Sequence, residues 1–257
     1  MPIGYNSPDN TVGFIGNGPA LASLISKSTG KPLGGFFNLG QLSSALMAIT
    51  ADKVEMQDTM SGSLGVAQSK TIKTTVEATF TLKSVSAENV ALGAYSSVVK
   101  DAAVANKTYT DIAYKGRSIV PDGIISSVTS ITAGGEPLVV GEDYVVSNGH
   151  IHFYEDGSVE DGTEVTVTYA TVSTKRLEAL IDSDIELCIV FDGMNVAKGK
   201  APVKVTIYNV SLSPMAQRQL IGTDFGELEL KGTVQLAKHI TGAGLSRYYK
   251  EEHADIV

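Results

Sequence analysis

The chain has 257 residues, of which 43% are hydrophobic and 19% charged, and its formal net charge is −8. This length suits one large all-β domain or two small ones, and the composition is that of a globular protein, which excludes disorder of the whole chain. The negative charge argues against a protein that grips nucleic-acid phosphates, because such a protein presents a basic patch. The single cysteine, Cys188, cannot form an intrachain disulfide, and its apolar neighbours predict a buried side chain.

The N-terminal region, residues 1–35, is rich in Gly, Pro, Asn and Ser and has little periodicity. Such a composition predicts an extended arm or loop, which would lie across a neighbouring copy in an assembly. Residues 1–13 lack the basic segment of a signal peptide, and no apolar run in the chain approaches 18 residues. We therefore expect a protein made in a cytoplasm, without a membrane segment.

The next region contains the strongest periodicity of the chain. Residues 38–50 fit one face of a helix and also one face of a strand, so their pattern leaves both open. Lys53–Thr59 alternates between apolar and polar residues, and Lys70–Val85 continues the alternation over a longer run. This pattern predicts long strands with one apolar and one polar face.

A flexible tip and a short helix follow from the residues around these strands. Met60–Ser69 contains Gly62 and Gly65 and predicts the tip of a long hairpin. Ser86 predicts the N-cap of a short helix over Ala87–Ala94.

Residues 119–171 form a second β-rich block. Short apolar runs are separated there by turn pairs at close spacing, namely Gly134–Gly135, Asn148–Gly149, Asp156–Gly157 and Asp161–Gly162. Such spacing predicts a small meander, which we interpret as an insertion in the main domain.

The last third repeats the alternating pattern. It predicts strands around Val203–Tyr208 and Glu227–Lys231, the second continuing as far as Leu236, and a polar tail over Leu245–His253. Ser213 followed by Pro214 predicts a short helix through Leu220. The whole chain, 1–257, is thus predicted as a single all-β domain, mainly antiparallel, with a few short helices.

Motifs that carry chemistry are weak in this sequence. Gly16–Leu21 begins like a dinucleotide-binding loop but has Leu at the third small position, so a loop is the better interpretation. His150 and His152 share a face on a strand, yet no partner has metal-ligand spacing. We expect no catalytic, cofactor or metal site, and no enzyme activity.

Two parts of the sequence resemble the major tail tube protein of long-tailed bacteriophages, over about two thirds of the chain. The stretches that carry the resemblance are Val54–Gly62, Lys70–Leu82 and Ser86–Leu92 in the first half, and Phe191–Gly193, Val203–Ser213 with Pro214, and Phe225–Leu230 in the second. The block Leu138–Thr171 resembles a β insertion of some members. The resemblance implies that Leu42–Ala51 is a strand.

The resemblance also implies an assembly. Six copies would form a ring, each adding four strands to a shared inner barrel, and the rings would stack into a tube that conducts DNA from capsid to host. The polar strand faces would line the channel, through Glu55, Lys73, Glu77, Lys204, Glu227, Glu229 and Lys231. The contacts between stacked rings would come from the arm and from the hairpin tip, at Met60, Ser61, Gly62, Ser63, Leu64 and Gly65.

The same resemblance implies the setting. The protein would be part of the virion tail, assembled in the host cytoplasm, with the tape measure, tail terminator and distal tail proteins as partners and DNA only in transit. Three alternatives stay open: the tube of a contractile tail or a type VI secretion system, a β-rich surface or adhesin module, and an enzyme whose site residues are scattered in sequence.

Overall fold

The fold is known from a computed structural model that describes residues 13–60, 62 and 65–254. Up to Leu82 the strands are β1 (Gly16–Asn17), β2 (Ala20–Leu24), β3 (Phe37–Asn38), β4 (Leu42–Gln57) and β5 (Val66–Leu82), and the helix α1 (Ala87–Gly93) follows. The middle strands are β6 (Val98–Asp101), β7 (Val104–Ala113), β8 (Ser118–Ile119), β9 (Ile125–Ala133), β10 (Glu136–Pro137), β11 (Tyr144–Val146), β12 (Ile151–Phe153), β13 (Thr163–Thr171) and β14 (Thr174–Leu177). The last are β15 (Glu186–Asn195), β16 (Ala201–Leu212), β17 (Leu228–Val234) and β18 (Tyr249–His253).

The all-β, mainly antiparallel class is confirmed, with 52% of residues in strands. Among the described residues α1 is the one helix, and helix accounts for 3% of the residues. The helix expected from Ser213 through Leu220 is wrong. The backbone there bonds to other segments instead, since Ser213 donates to the carbonyl of Lys231 and Met215 to that of Gly93, at 2.8 Å each.

The chain divides into two compact units, one made of the residues up to Ser97 and from Glu178 on, the other of Val98–Leu177. The second unit includes the block 119–171 and extends beyond it at both ends. The boundary at Ser97 and Glu178 leaves the two long alternating regions of the sequence together in the first unit.

The first unit is a nine-stranded sheet in the order β3-β2-β15-β16-β17-β5-β4, with β1 beside β15 and β18 beside β16. The alternation of apolar and polar residues along the strands determines which face of the sheet is buried. In β17 the residues Leu228, Leu230 and Val234 are buried, and in β5 their partners Leu82, Phe80 and Val76 are buried too. One face of this sheet is therefore a hydrophobic core, as the sequence pattern predicts.

The helix α1 covers part of this core face. Ser86 caps it, since its hydroxyl accepts a hydrogen bond from the Asn89 backbone N–H, so the predicted N-cap is confirmed. The helix packs tightly on β17, because a side chain added at Gly93 would approach Leu230 to 3.3 Å. Asn89 is buried and donates to the carbonyls of Leu39 and Ser84, which ties the helix to the segments just before β4 and just after β5.

Both chain ends contribute strands to the sheet. Ala20–Leu24 lies in the predicted arm but pairs with β15, with Ala20 and Ala22 fully buried, so a loop is the wrong interpretation for these residues. Tyr249–His253 lies in the predicted tail and pairs with Val203–Ile207 of β16. Long-range pairing fixes these segments, and neither one carries a regular alternation of its own.

The strand expected at Leu42–Ala51 is confirmed, and β4 extends it to Gln57. Together β4 and β5 form the predicted long hairpin. Only the half of β5 from Val76 to Leu82 alternates between buried and more exposed residues, while Val66–Thr74 and almost all of β4 are exposed. The outer half of the hairpin thus extends beyond the core.

The second unit has its own core. It is built from a four-stranded sheet in the order β10-β9-β13-β7, a three-stranded sheet β11-β12-β8, and the pair β14-β6. The core side chains come from both larger sheets and include Ile131, Phe153, Val165, Val167 and Tyr169. A buried carboxylate, Asp143, ties the loops of this unit together.

Asp143→Ala is expected to destabilise the second unit by about 3 kcal/mol, because three donors lose their charged acceptor. The carboxylate accepts hydrogen bonds from the backbone N–H of Val139 at 2.7 Å, and from the N–H and hydroxyl of Ser158 at 2.8 and 2.7 Å. These bonds hold the pKa of Asp143 below its ordinary value. Thermal denaturation at neutral pH measures the loss.

The pH dependence of this loss has a defined sign. Because the folded pKa is depressed, the stabilisation is complete above the ordinary pKa of Asp and disappears as the pH falls through the folded value. The difference between wild type and variant should therefore shrink in acid. Glu142→Ala, at the exposed neighbouring position, is the control and should leave stability unchanged. An equal loss in both variants would contradict this role of Asp143.

Candidate functional site

The polar face of the first unit's sheet is the candidate site. Directly paired residues share a face, so Glu229 lies beside Thr81, Lys231 beside Thr79 and Thr233 beside Glu77, all opposite to the core. Alternation from these pairs, together with the register shift between β15 and β16 at Leu187 and Ile189, places five of the seven predicted channel residues on this one face: Lys73, Glu77, Lys204, Glu229 and Lys231.

Charged residues on this face lie next to residues of the opposite charge. Lys231 Nζ lies 3.1 Å from Glu77 Oε2, and both side chains are about half exposed, so the pair contributes little to stability. Lys204 is paired in register with Asp192 on one side and Glu252 on the other. The face therefore carries no cluster of unbalanced positive charge.

A second ion pair lies on β18, on the same face of the sheet as Lys204. Lys250 Nζ is 2.9 Å from Glu252 Oε2. The hydrogen bond between them raises the pKa of Lys250 and lowers that of Glu252, to which Lys204 also contributes by its charge. Both groups consequently stay ionised around neutral pH, which keeps the local charge balanced.

Glu55 and Glu227 do not share this arrangement. Ala48 pairs with Glu77, and the two register shifts beyond it skip Ile72 and Ala67 of β5 but no residue of β4. The alternation of β4 is therefore kept, and Glu55 lies on the opposite face from Glu77. Glu227 precedes β17 and lines an open hollow instead. Sequence alternation misplaced Glu55 because the pattern of β4 shows two faces but not which of them continues the core.

The hairpin tip spans residues 58–65, shorter than predicted. The Asp58 carboxylate accepts a hydrogen bond from the Met60 N–H at 2.8 Å, and the Asp58 N–H donates to the carbonyl of Gly65 at 2.7 Å. Gly62 has a positive φ of 74°, which glycine adopts without strain. Of the predicted ring-stacking residues, Ser61, Ser63 and Leu64 lie outside the described part of the chain.

The hairpin also exposes large apolar side chains that the sequence analysis did not assign to a surface. On β4, Leu46, Val54 and Met56 are 62%, 56% and 58% exposed and lie on the face of Glu77, by alternation. On β5, Val66 and Ile72 are 56% and 66% exposed. Exposed apolar groups in such number mark an interaction surface. The sequence signal that could have indicated this surface is the alternation of Val54 and Met56 with the polar residues Glu55 and Gln57.

The edge of β4 is a further unpartnered feature. Within the described residues, β4 pairs with β5 alone, so its other edge offers backbone donors and acceptors along 16 residues. An exposed edge of this length is a site where another strand can add.

Cys188 and His152 are two residues whose side chains could take part in chemistry. Cys188 is buried as predicted, and desolvation raises the pKa of its thiol to about 11, so it is not a reactive thiolate at neutral pH. His152 Nδ1 lies 3.1 Å from the Ser118 hydroxyl on the neighbouring strand. In the part of the chain that the structure describes, no three His, Cys, Asp or Glu side chains are grouped as a metal site. No described helix has the length and apolar character needed to cross a membrane.

The sequence profile of a family described as "Protein of unknown function UCP028589" matches residues 13–252. No curated protein matches the chain.

Proposed function

The chain belongs to the family described as "Protein of unknown function UCP028589", and from its fold and surfaces we propose that it is the structural subunit of a phage tail tube. In this proposal six copies form a ring, the rings stack, and the channel conducts DNA from capsid to host. The observation that carries the proposal is the long hairpin β4–β5, which has a free edge and exposed apolar side chains on strands that continue into a sheet with a polar face.

A barrel shared between copies would pair the free edge of β4. A free edge that pairs with a strand of the next copy has its backbone groups satisfied, and closing the ring removes all such edges. Twenty-four strands spaced by ~4.8 Å and tilted by ~40° enclose a backbone diameter of roughly 48 Å. Side chains reduce this to about 38 Å, which leaves room for a duplex about 20 Å wide.

The charges of the polar face suit a channel through which DNA passes without sticking. Each of the three lysines predicted for the channel has an acidic neighbour on this face. Lys73 pairs in register with Asp52, Lys204 with Asp192 and Glu252, and Lys231 lies beside Glu77, while the chain as a whole is acidic. Such a wall offers no basic stripe to hold phosphates. In this setting the protein is a virion component that assembles in the host cytoplasm, and its partners are further copies of itself together with tape measure, tail terminator and distal tail proteins.

Negative-stain electron microscopy and light scattering of the purified protein test the assembly. The expected result is rings or tubes with a central hole, and a mass that corresponds to six copies or multiples of six. A protein that stays monomeric at every concentration contradicts the proposal.

Glu229→Lys is expected to make the tubes bind duplex DNA at low salt, because it turns an acidic position of the channel face into a basic one. Glu55→Lys is the matched control, since it changes the net charge equally but lies on the opposite face of the hairpin. Retention of labelled DNA by sedimented tubes measures the difference. Equal retention by both variants would show that the face of Glu229 does not line the channel.

A further inference from the structure

Two groups of exposed apolar side chains lie at opposite ends of the sheet of the first unit. One is the hairpin surface, formed by Val54 and Met56 on one face of β4 and by Met60 at the tip, with Met60 96% exposed. The other is the connector loop, residues 213–227 between β16 and β17, whose Leu220, Ile221 and Phe225 are 81%, 95% and 92% exposed. Isolated exposed apolar residues are ordinary, but three nearly bare side chains within six residues are not.

The register fixes the positions of these two surfaces. The connector loop enters β17 where Leu228 pairs with Leu82, and Leu82 pairs with Leu42 at the start of β4. The hairpin surface lies at the other end, where Gln57 pairs with Val66. Sixteen residues of β4 at ~3.3 Å each separate the ends by roughly 50 Å. The two surfaces of one chain therefore do not cover each other.

The connector loop, together with Lys83, borders an open hollow of about 1120 Å³. Lys83 and Arg218 contribute positive charges to its lining and Asp224 and Glu227 negative ones, beside the exposed ring of Phe225. The face of Val54 and Met56 on the outer hairpin also carries both signs of charge, with Asp52 on β4 and Lys70 beside Val54 on β5. Each surface thus presents both positive and negative groups around its apolar side chains, and these can pair with opposite charges of the other surface. The net charge of −8, which makes two whole chains repel each other, is not concentrated on either surface.

We propose that the hairpin surface of one copy docks on the connector loop of a second copy, head to tail. This inference deepens the proposed function and rests on it, since it names the acceptor for the contact between stacked rings. A head-to-tail contact of unlike surfaces adds copies without limit along its axis, as a tube requires. Six such contacts between two rings act together, so each one is sufficient at modest strength.

Site-directed disulfide formation tests this contact between copies. Met60→Cys and Phe225→Cys are made in separate chains and mixed before assembly, and the product is a dimer that contains one chain of each kind. The native Cys188 does not interfere, since it is buried and its thiol pKa is raised to about 11. Val140→Cys, 65% exposed in the second unit, replaces Phe225→Cys in the control mixture.

The expected result is a mixed dimer at least ten times more abundant than in the control, in the sedimented tubes but not in the unassembled protein. Tubes that form without the mixed dimer overturn the docking of the hairpin on the connector loop and leave the proposed function standing. A protein that forms neither rings nor tubes overturns both.

Discussion

Gly232→Ala is expected to lower the free energy of unfolding of the first unit by about 3 kcal/mol, more than a single methyl group costs at most sites. The added Cβ would lie 2.4 Å from the carbonyl oxygen of Ser211 and 2.8 Å from a methyl group of Val210. The first of these is a backbone atom that cannot rotate away. Strand β16 must shift to make room.

The shift of β16 lowers stability strongly because it disturbs the short contact between β16 and β17. Only three residue pairs join β16 to β17, Val210 to Leu212 with Val234 to Gly232, and they connect the two halves of the nine-stranded sheet. A loss of about 3 kcal/mol corresponds to a decrease in Tm of roughly 6–12 °C for a unit of this size, which calorimetry measures. Gly35→Ala is the matched control, since nothing lies within 4 Å of its added Cβ. Equal Tm values for the two variants would refute the close approach at Gly232.

The sequence predicted the strands whose faces differ in burial. Alternation over Val76–Leu82 and Leu228–Val234 is strong because one face packs in the core, and each apolar position there is fixed by the side chains across the sheet. The helix α1 was predictable for a local reason, since Ser86 supplies the cap and the helix is one short segment.

Elements that depend on distant pairing were not predictable. β2 has too few residues for periodicity, and its burial comes from pairing with β15 far along the chain. Ser213 and Pro214 are typical helix-starting residues, yet the segment has no apolar face packed on the core and its backbone bonds elsewhere. Local signals were outweighed by long-range contacts in both places.

The candidate site was predictable only in part, for a related reason. Lys231 and Glu77 could be placed because their strands have a buried face to set the phase. Glu55 could not, since both faces of the outer hairpin are exposed and the phase has to be carried outward from Ala48 through the register with β5. The exposed Leu220 and Phe225 of the connector loop carry no periodic signal at all.

Val54→Asp combined with Met56→Asp is expected to reduce tube growth at least tenfold while leaving the Tm within a few degrees of wild type. Both side chains are more than half exposed, so their replacement removes no core contact. In the proposed assembly they are desolvated between copies, where an unpaired carboxylate is strongly unfavourable. Light scattering measures tube growth, and calorimetry measures the Tm.

The control for this pair uses the other face of the same strand. Lys53→Asp combined with Glu55→Ala also alters two exposed positions of the outer hairpin, but alternation places these residues opposite to Val54 and Met56. If the face of Val54 makes the contact, the control should assemble far better than the Val54 and Met56 variant. Equal loss in both would mean that the hairpin contributes through its backbone edge rather than through one face. Normal growth of the Val54 and Met56 variant would remove this surface from the assembly, because carboxylates cannot be buried there without a large loss of affinity.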